Sequence, residues 1–198
     1  MMGSRITHIF SIALFAIAAV GCGASAPSRF YTLDSTASPE GSPSANYAVA
    51  VGPISIPASV DRPQFVVQVA PNRVTVDEFN RWAAPLDDSI ARAVAGNLAV
   101  LLGTPRVAGA PLANFDPAYR VTLDIQRFES VPGESALVEA VWTVRKLAGG
   151  ATRSGRTVAR EPVQGQGFDA LAAAHSRALA KVSGDIAAAI QAEADSKP

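Results

Sequence analysis

The single cysteine of this chain, Cys22, directly follows an apolar stretch and limits where the folded part can begin. Arg5 supplies the positive charge that opens an export signal, and residues 9–20 form its apolar centre. A membrane-spanning helix needs roughly 20 apolar residues, so this stretch is too short to cross a bilayer. We therefore predict that residues 1–21 are a signal peptide that is removed on export.

The four residues that end at the cysteine, Ala19-Val20-Gly21-Cys22, resemble the cleavage motif of bacterial lipoproteins, in which the cysteine is acylated. That motif usually has leucine where this chain has Ala19. A plain signal peptide with an incidental cysteine is the alternative, but the position of the only cysteine favours lipidation. Each buried CH₂ of an acyl chain stabilises membrane attachment by about 0.8 kcal/mol. We predict a lipid-anchored periplasmic protein, and Gly23 in place of aspartate favours the outer membrane over the inner one.

Cleavage before Cys22 leaves 177 of the 198 residues, which is enough for one domain with a substantial core. The mature chain then holds 16 Lys and Arg against 17 Asp and Glu, because Arg5 is the only charged residue removed. A net charge of −1 argues against a nucleic-acid partner, which would require a basic patch. No thiol remains for a disulfide once the cysteine is acylated, so the fold must be stabilised by hydrophobic burial.

We divide the mature chain into a tether, residues 22–46, and a single periplasmic domain, residues 47–198. The tether is rich in Gly, Ala, Ser and Pro, a composition that cannot bury enough apolar surface to order itself. Fully extended, it would reach about 80 Å. An island at residues 30–33, with Tyr31 and Leu33, interrupts this composition. We favour a short strand that docks on the domain, and a contact for a partner is the alternative.

The periodicity of the apolar residues predicts a domain of the α/β (α+β) class with the order β-β-β-α-β-β-β-α. Apolar residues recur every three or four positions over 86–102 and 168–192, which predicts two main helices. Alternating apolar and polar residues predict strands, and the turns between them favour a mixed, mostly antiparallel sheet packed by both helices. The predicted strands are residues 47–51, 65–69, 74–76, 119–126 and 136–144, followed by an edge strand or a loop at 153–160.

His175 is the only histidine of the mature chain, and it lies in the apolar stripe of the last predicted helix. A catalytic base or a metal ligand would need further residues that the sequence does not supply, so we favour a core histidine with one hydrogen-bond partner. The chain has no GxSxG, HExxH or GxGxxG motif. We predict no enzyme activity, no catalytic or metal-binding residue, and no cofactor besides the lipid on Cys22.

The segment between the third predicted strand and the first helix is the most distinctive part of the chain, with the pattern F-x-R-W-A-x-P-L at residues 79–86. Together with the Y-x-L island, an R-P-Q turn at residues 62–64 and a final G-x-G-FDALAAAH helix, it resembles the PqiC-like family of ABC-type transport auxiliary lipoproteins. The resemblance covers essentially the whole mature chain. Ala84 departs from the family, which often has an acid there.

This resemblance implies a membrane-anchored part of an ABC and MCE-type system that moves lipids or other hydrophobic molecules across the envelope. The partners would be an MCE-domain protein and an ABC permease with its ATPase, and this lipoprotein would dock or assemble them. For Arg81 and Trp82, a partner interface and a fold-defining junction both remain open, with the junction favoured for Trp82. The candidate partner-binding residues are Arg81, Trp82, Phe79, Pro85, Tyr31 and Leu33.

Two other classes of function remain open from the sequence. An envelope scaffold that assists cell-wall or outer-membrane assembly would also lack turnover but would have different partners. A periplasmic hydrolase would need a pocket with converging polar groups. The polar segment at residues 153–160 could also pair with a partner strand or with a second copy of the chain, which would give a homo-oligomer.

Overall fold

Strand β6 (Tyr119–Val131), whose residues largely alternate between buried and exposed, is the centre of the sheet. The structure is a computed structural model that describes residues 26–39, 45–109 and 115–196. The signal peptide and Cys22 lie outside the described residues. In chain order the elements are β1 (Arg29–Tyr31), β2 (Val49–Ser55), β3 (Gln64–Ala70), β4 (Arg73–Trp82), α1 (Leu86–Leu101), β5 (Val107–Ala108), β6, β7 (Ser135–Lys146), β8 (Thr152–Pro162) and α2 (Gly167–Asp195).

The sheet is mixed and forks on one side of β6. Along one edge, β6 pairs antiparallel with β7, and β7 pairs antiparallel with β8. Along its other edge, β6 pairs parallel with β2 near its start and with β3 near its end. Strand β5 extends the β2 branch, whereas β4 and then β1 extend the β3 branch. The predicted α+β class is confirmed, and the polar segment near residue 156 is the edge strand rather than the loop.

Both helices cover the same face of the sheet. The apolar stripe of α1 is buried against β2, β5 and α2, and α2 packs across β6, β7 and β8. The apolar side of the sheet therefore lies between the strands and the helix layer. The core members of α1 are Leu86, Ile90, Val94, Leu98 and Leu101. The opposite side, which we call the open face, carries none of the described helices.

A glycine in β8 makes room for a tryptophan of β7. Gly155 is the register partner of Trp142, and a Cβ at position 155 would overlap the indole ring. The indole Nε1 donates a hydrogen bond to Thr157 Oγ1 at 3.0 Å, and that hydroxyl donates to Asp185 of α2 at 2.5 Å. These bonds fix β7, β8 and α2 to one another without leaving the buried indole N–H unpaired.

The N-terminal segment differs from the predicted flexible tether. Residues 29–31 form β1, which pairs parallel with β4, so the island at residues 30–33 is a docked strand. Residues 32–39, which we call the strap, then follow the helix layer. The ordered domain therefore begins near residue 29 rather than residue 47, and it includes much of the segment that composition assigned to the tether.

The strap is held by polar side chains of both helices, chiefly by the buried Asn97 of α1. Asn97 Oδ1 accepts hydrogen bonds from the backbone N–H groups of Thr36 and Ala37, both at 2.9 Å, and from Ser35 Oγ at 3.0 Å. On α2, the Ser176 hydroxyl accepts from the backbone N–H of Asp34 at 3.1 Å. These acceptors satisfy backbone donors that a free tether would leave to water, which is why this polar segment is ordered.

Candidate interaction surfaces

Three of the six candidate partner-binding residues lie in the core instead of at the surface. The Trp82 ring stacks on Phe65 with a centroid distance of 4.0 Å, and only 5 % of the residue is exposed. Tyr31 packs edge-on against Phe65 at 5.4 Å, and Leu33 is also buried. Buried aromatic contacts of this kind stabilise a fold. The structure thus uses Tyr31, Leu33 and Trp82 to join β1 and β4 to the helix layer, which leaves little of them for a partner to contact.

The other distinctive residues of this segment belong to a bulge in β4. Residues 77–80 have no pairing partner on β3, because the register passes from Val76 directly to Arg81. Asp77 Oδ1 holds the bulge by accepting hydrogen bonds from the backbone N–H groups of Phe79 at 2.9 Å and Asn80 at 2.8 Å. Burial acts to raise the pKa of Asp77, but these donors together with the Asn80 side chain lower it overall.

The accessible candidates lie around this bulge. Phe79 is 45 % exposed, Pro85 is exposed, and Arg81 is half-buried with its Nε donating to the Glu78 carbonyl at 3.0 Å. Phe30 of β1 is the register partner of Arg81 and is 64 % exposed. Partner contact by Phe79, Arg81 and Pro85 remains a prediction. The sequence pattern could have distinguished Phe30 from the buried Tyr31, because the two-residue period of a strand places adjacent side chains on opposite faces.

The open face carries a network of charged side chains across β6, β7 and β8. The carboxylate of Glu139 in β7 forms an ion pair with Arg156 of β8 at 2.5 Å and a longer one with Arg127 of β6 at 3.8 Å. Arg127 also pairs with Glu129 at 2.8 Å. Beside this network Val158 of β8 is 55 % exposed. Cross-strand pairs of this kind depend on register, so the sequence could not identify them.

Strand β8 is fixed to α2 by its side chains, while one of its backbone edges has no strand partner among the described residues. Glu161 pairs with Lys181 at 2.6 Å and with Arg177 at 3.2 Å, and Arg153 pairs with Glu193 at 2.9 Å. This edge is eleven residues long. An edge strand of this length presents unpaired N–H and C=O groups to which an extended segment can add.

The histidine is in the core, as predicted. His175 is fully buried, its Nε2 lies 2.8 Å from Ser130 Oγ, and its ring stacks on Phe128 at 3.9 Å. Burial lowers the pKa of His175 to about 3, so the imidazole is neutral at pH 7. Its Nδ1 has no hydrogen-bond partner within the described part of the chain. Nor do the described residues contain a group of three or more His, Cys, Asp or Glu side chains placed to hold a metal ion.

We expect His175 to make the protein less stable in mild acid. Its folded-state pKa of about 3 lies below the 6.5 of an exposed imidazole, so only the unfolded chain binds this proton between those values. Stability is therefore complete above pH 6.5 and falls as the pH drops through this window, by about 1.4 kcal/mol per pH unit. Urea unfolding should show a loss of about 2 kcal/mol between pH 6.5 and about pH 5.

A His175→Gln variant provides the control for this pH dependence. Asp77 and Glu161 have pKa values that are lowered in the folded state from 3.8 and 4.5, so the stability that they contribute is lost below about pH 5 and barely changes between pH 6.5 and pH 5. The variant should therefore show nearly the same unfolding free energy at both pH values. An equal loss of stability in the variant and the wild type would contradict the assignment to His175.

A groove of about 580 Å³ lies between β2 and the start of α1. Its charged lining residues are Asp87, Asp88 and Arg120. The two aspartates occupy the first turn of α1, where they oppose the positive end of the helix dipole. This placement gives the carboxylates a structural role.

Taken together, a forked mixed sheet with two helices on one face defines a two-layer α+β domain. The family model described as "ABC-type transport auxiliary lipoprotein component" matches residues 31–187, and the chain belongs to this family. The predicted resemblance is thereby confirmed. The match begins at Tyr31 in β1, which agrees with an ordered domain that starts well before residue 47.

Solved structures confirm the fold. A Xanthomonas campestris protein of family DUF330 is 20 % identical, with 85 % of this chain and 100 % of that chain covered and a TM-score of 0.68. A second crystal structure, described as an uncharacterised protein, is 19 % identical, with 83 % and 99 % covered and a TM-score of 0.68. None of the curated proteins matches the chain. Within the described residues, no helix combines the length and apolar character that a bilayer crossing requires.

Proposed function

We propose that this protein is the lipid-anchored docking or assembly subunit of an ABC transport system that moves lipids or other hydrophobic molecules across the cell envelope. The observation that carries the proposal is the family match over residues 31–187 to an auxiliary component of ABC-type transport. The proposed partners are an MCE-domain protein and an ABC permease with its ATPase. As an auxiliary component, the protein would hold the assembly in place while its partners perform transport.

The proposed anchor is an acyl group on Cys22. Its sequence context, Ala19-Val20-Gly21-Cys22, and the family description as a lipoprotein both support it. Because Gly23 follows the cysteine, we propose the outer membrane as the site of attachment. More than one acyl chain would make the attachment stable, since a single chain holds only marginally.

We propose the free edge of β8 as the surface that binds the protein partner. Eleven residues of this strand are paired on one side only among the described strands, so an extended partner segment can extend the sheet there. Exposed Val158 and the arginine side chains near it would supply side-chain contacts beside the backbone hydrogen bonds. A second copy of the chain is the other occupant that this edge would accept. Arg81 and Pro85, which lie beside the β4 bulge, remain proposed contact residues for a protein partner, and Phe79 remains a proposed contact residue as well.

The partner surface can be tested by capturing the tagged, lipidated protein from crosslinked membranes and identifying what accompanies it. Val158→Arg adds bulk and charge beside the β8 edge, while Val74→Arg makes the same change at an equally exposed valine of β4. We expect the first variant to lose MCE-domain and ABC subunits and the second to retain them. Enrichment of cell-wall or outer-membrane assembly proteins instead would favour the scaffold function. Equal capture by both variants would exclude β8 as the docking edge.

A further inference from the structure

The strap shortens the free chain between the proposed lipid and the folded domain. Because β1 and the strap are fixed to the domain, only six residues, 23–28, lie in the step from Cys22, the proposed site of acylation, to Arg29 of the sheet. Fully extended, this step spans about 25 Å, whereas the predicted tether of residues 22–46 would have spanned about 80 Å. The β1 edge of the sheet is thus held within about 25 Å of the anchored cysteine.

Two large aromatic side chains are exposed at this same edge. Phe30 is 64 % exposed on β1, and Phe79 is 45 % exposed in the β4 bulge. Phe79 directly precedes Asn80, the register partner of Arg29, so the bulge lies beside the end of β1 at which the tether enters. Two exposed phenylalanines at one edge of the sheet form an apolar surface of the kind that often contacts a membrane or a protein partner.

The charges around these rings nearly balance. Arg29 and Arg81 lie beside Phe30, while Asp77 and Glu78 belong to the bulge that carries Phe79. The Asp77 carboxylate is already used by backbone donors within the bulge. The surface therefore offers apolar rings with little net charge, which suits contact with uncharged lipid rather than attraction to anionic head groups.

We propose that Phe30 and Phe79 form a membrane-docking patch that inserts into the interfacial region of the bilayer to which the protein is anchored. The proposal depends on the lipid anchor of the proposed function, because the short step from Cys22 is what brings this edge to the membrane. Aromatic side chains favour the boundary between head groups and acyl chains. Docking places the β1 edge of the sheet at the membrane. The β8 edge then lies on the far side of the sheet, about 24 Å from β1 across five strand spacings.

The test uses the full lipidated protein in vesicles of phosphatidylcholine that carries brominated acyl chains, which quench tryptophan fluorescence on contact. Phe30→Trp and Phe79→Trp each place a reporter in the patch, and Val158→Trp places the matched reporter on β8. The native Trp82 and Trp142 are buried and give the background, which is measured in the wild type. We expect several-fold greater quenching at positions 30 and 79 than at position 158, with little change on adding salt.

Equal quenching at positions 30 and 158, or no quenching at position 30, would overturn the proposal. Mass spectrometry of the same preparation separates this outcome from failure of the anchor. An unacylated Cys22 would count against the proposed function, while an acylated protein without quenching at position 30 counts only against the docking patch. In native membranes, a photoreactive phenylalanine analogue at position 30 should crosslink to phospholipid. Adducts with a protein subunit alone would assign the patch to a protein partner and contradict membrane docking.

Discussion

Replacing Trp82 with alanine should destabilise the domain by about 3–5 kcal/mol, because the truncation removes a large aromatic side chain from the centre of the core. The ring is stacked on Phe65 and also packs edge-on against Phe128 and His175, at 6.0 Å and 6.2 Å. For a domain of this size, such a loss lowers Tm by roughly 10 °C. Thermal unfolding of the mature protein, followed by circular dichroism, measures the effect directly.

Phe79→Ala is the matched control for this prediction. It removes an aromatic side chain only three positions earlier in the same distinctive segment, but from the exposed bulge. We expect its unfolding free energy to stay within about 0.5 kcal/mol of the wild type, as is usual at surface positions. Similar Tm values for the Trp82 and Phe79 variants would contradict the division of this segment between core and surface.

Asn97→Ala should release the strap and cost about 2–4 kcal/mol of stability. The substitution removes the one acceptor shared by Thr36 N–H, Ala37 N–H and the Ser35 hydroxyl, and each of these three hydrogen bonds contributes about 0.5–1.5 kcal/mol net. Amide hydrogen exchange at positions 36 and 37 should become much faster than in the wild type. Ser183→Ala removes another buried polar side chain, on α2, whose hydroxyl bonds only within its own helix. It should leave the strap protected.

Gly96→Ala tests the strap without removing a hydrogen bond. A Cβ at position 96 would lie 2.9 Å from the Ser35 Cβ, so the strap must move away. Alanine is also the better helix former, by about 1 kcal/mol, so α1 itself should not weaken. Fast exchange in the strap with an intact helix is the expected result. Unchanged protection at positions 36 and 37 in both the Gly96 and the Asn97 variants would show that other contacts hold the strap.

The long elements of the fold could be predicted because their signals are local. The stripe from Leu86 to Leu101 and the alternation in β6 and β7 each report burial through the spacing of neighbouring residues. The strap could not be predicted in this way. Its order depends on Asn97, about 60 residues further along the chain, and composition alone assigns such a segment to disorder.

The candidate surface was predicted only in part for a similar reason. The distinctive segment is one continuous sequence pattern, but a strand directs successive side chains to opposite faces, so Trp82 enters the core while Arg81 faces outward. The same alternation places Tyr31 in the core and leaves Phe30 exposed. The charge network around Glu139 was beyond sequence reasoning, because it forms only once β6, β7 and β8 adopt their register.

The central claim is that this protein acts as an anchored subunit of a transport assembly, and affinity capture from crosslinked membranes tests it most directly. Tagged wild-type protein and a Cys22→Ala variant would be compared at equal expression, with mass spectrometry of the captured proteins. We predict that an MCE-domain protein and an ABC permease or ATPase are enriched with the wild type and lost with the variant. Absence of these subunits from the wild-type capture, or equal recovery with the unanchored variant, would contradict the account.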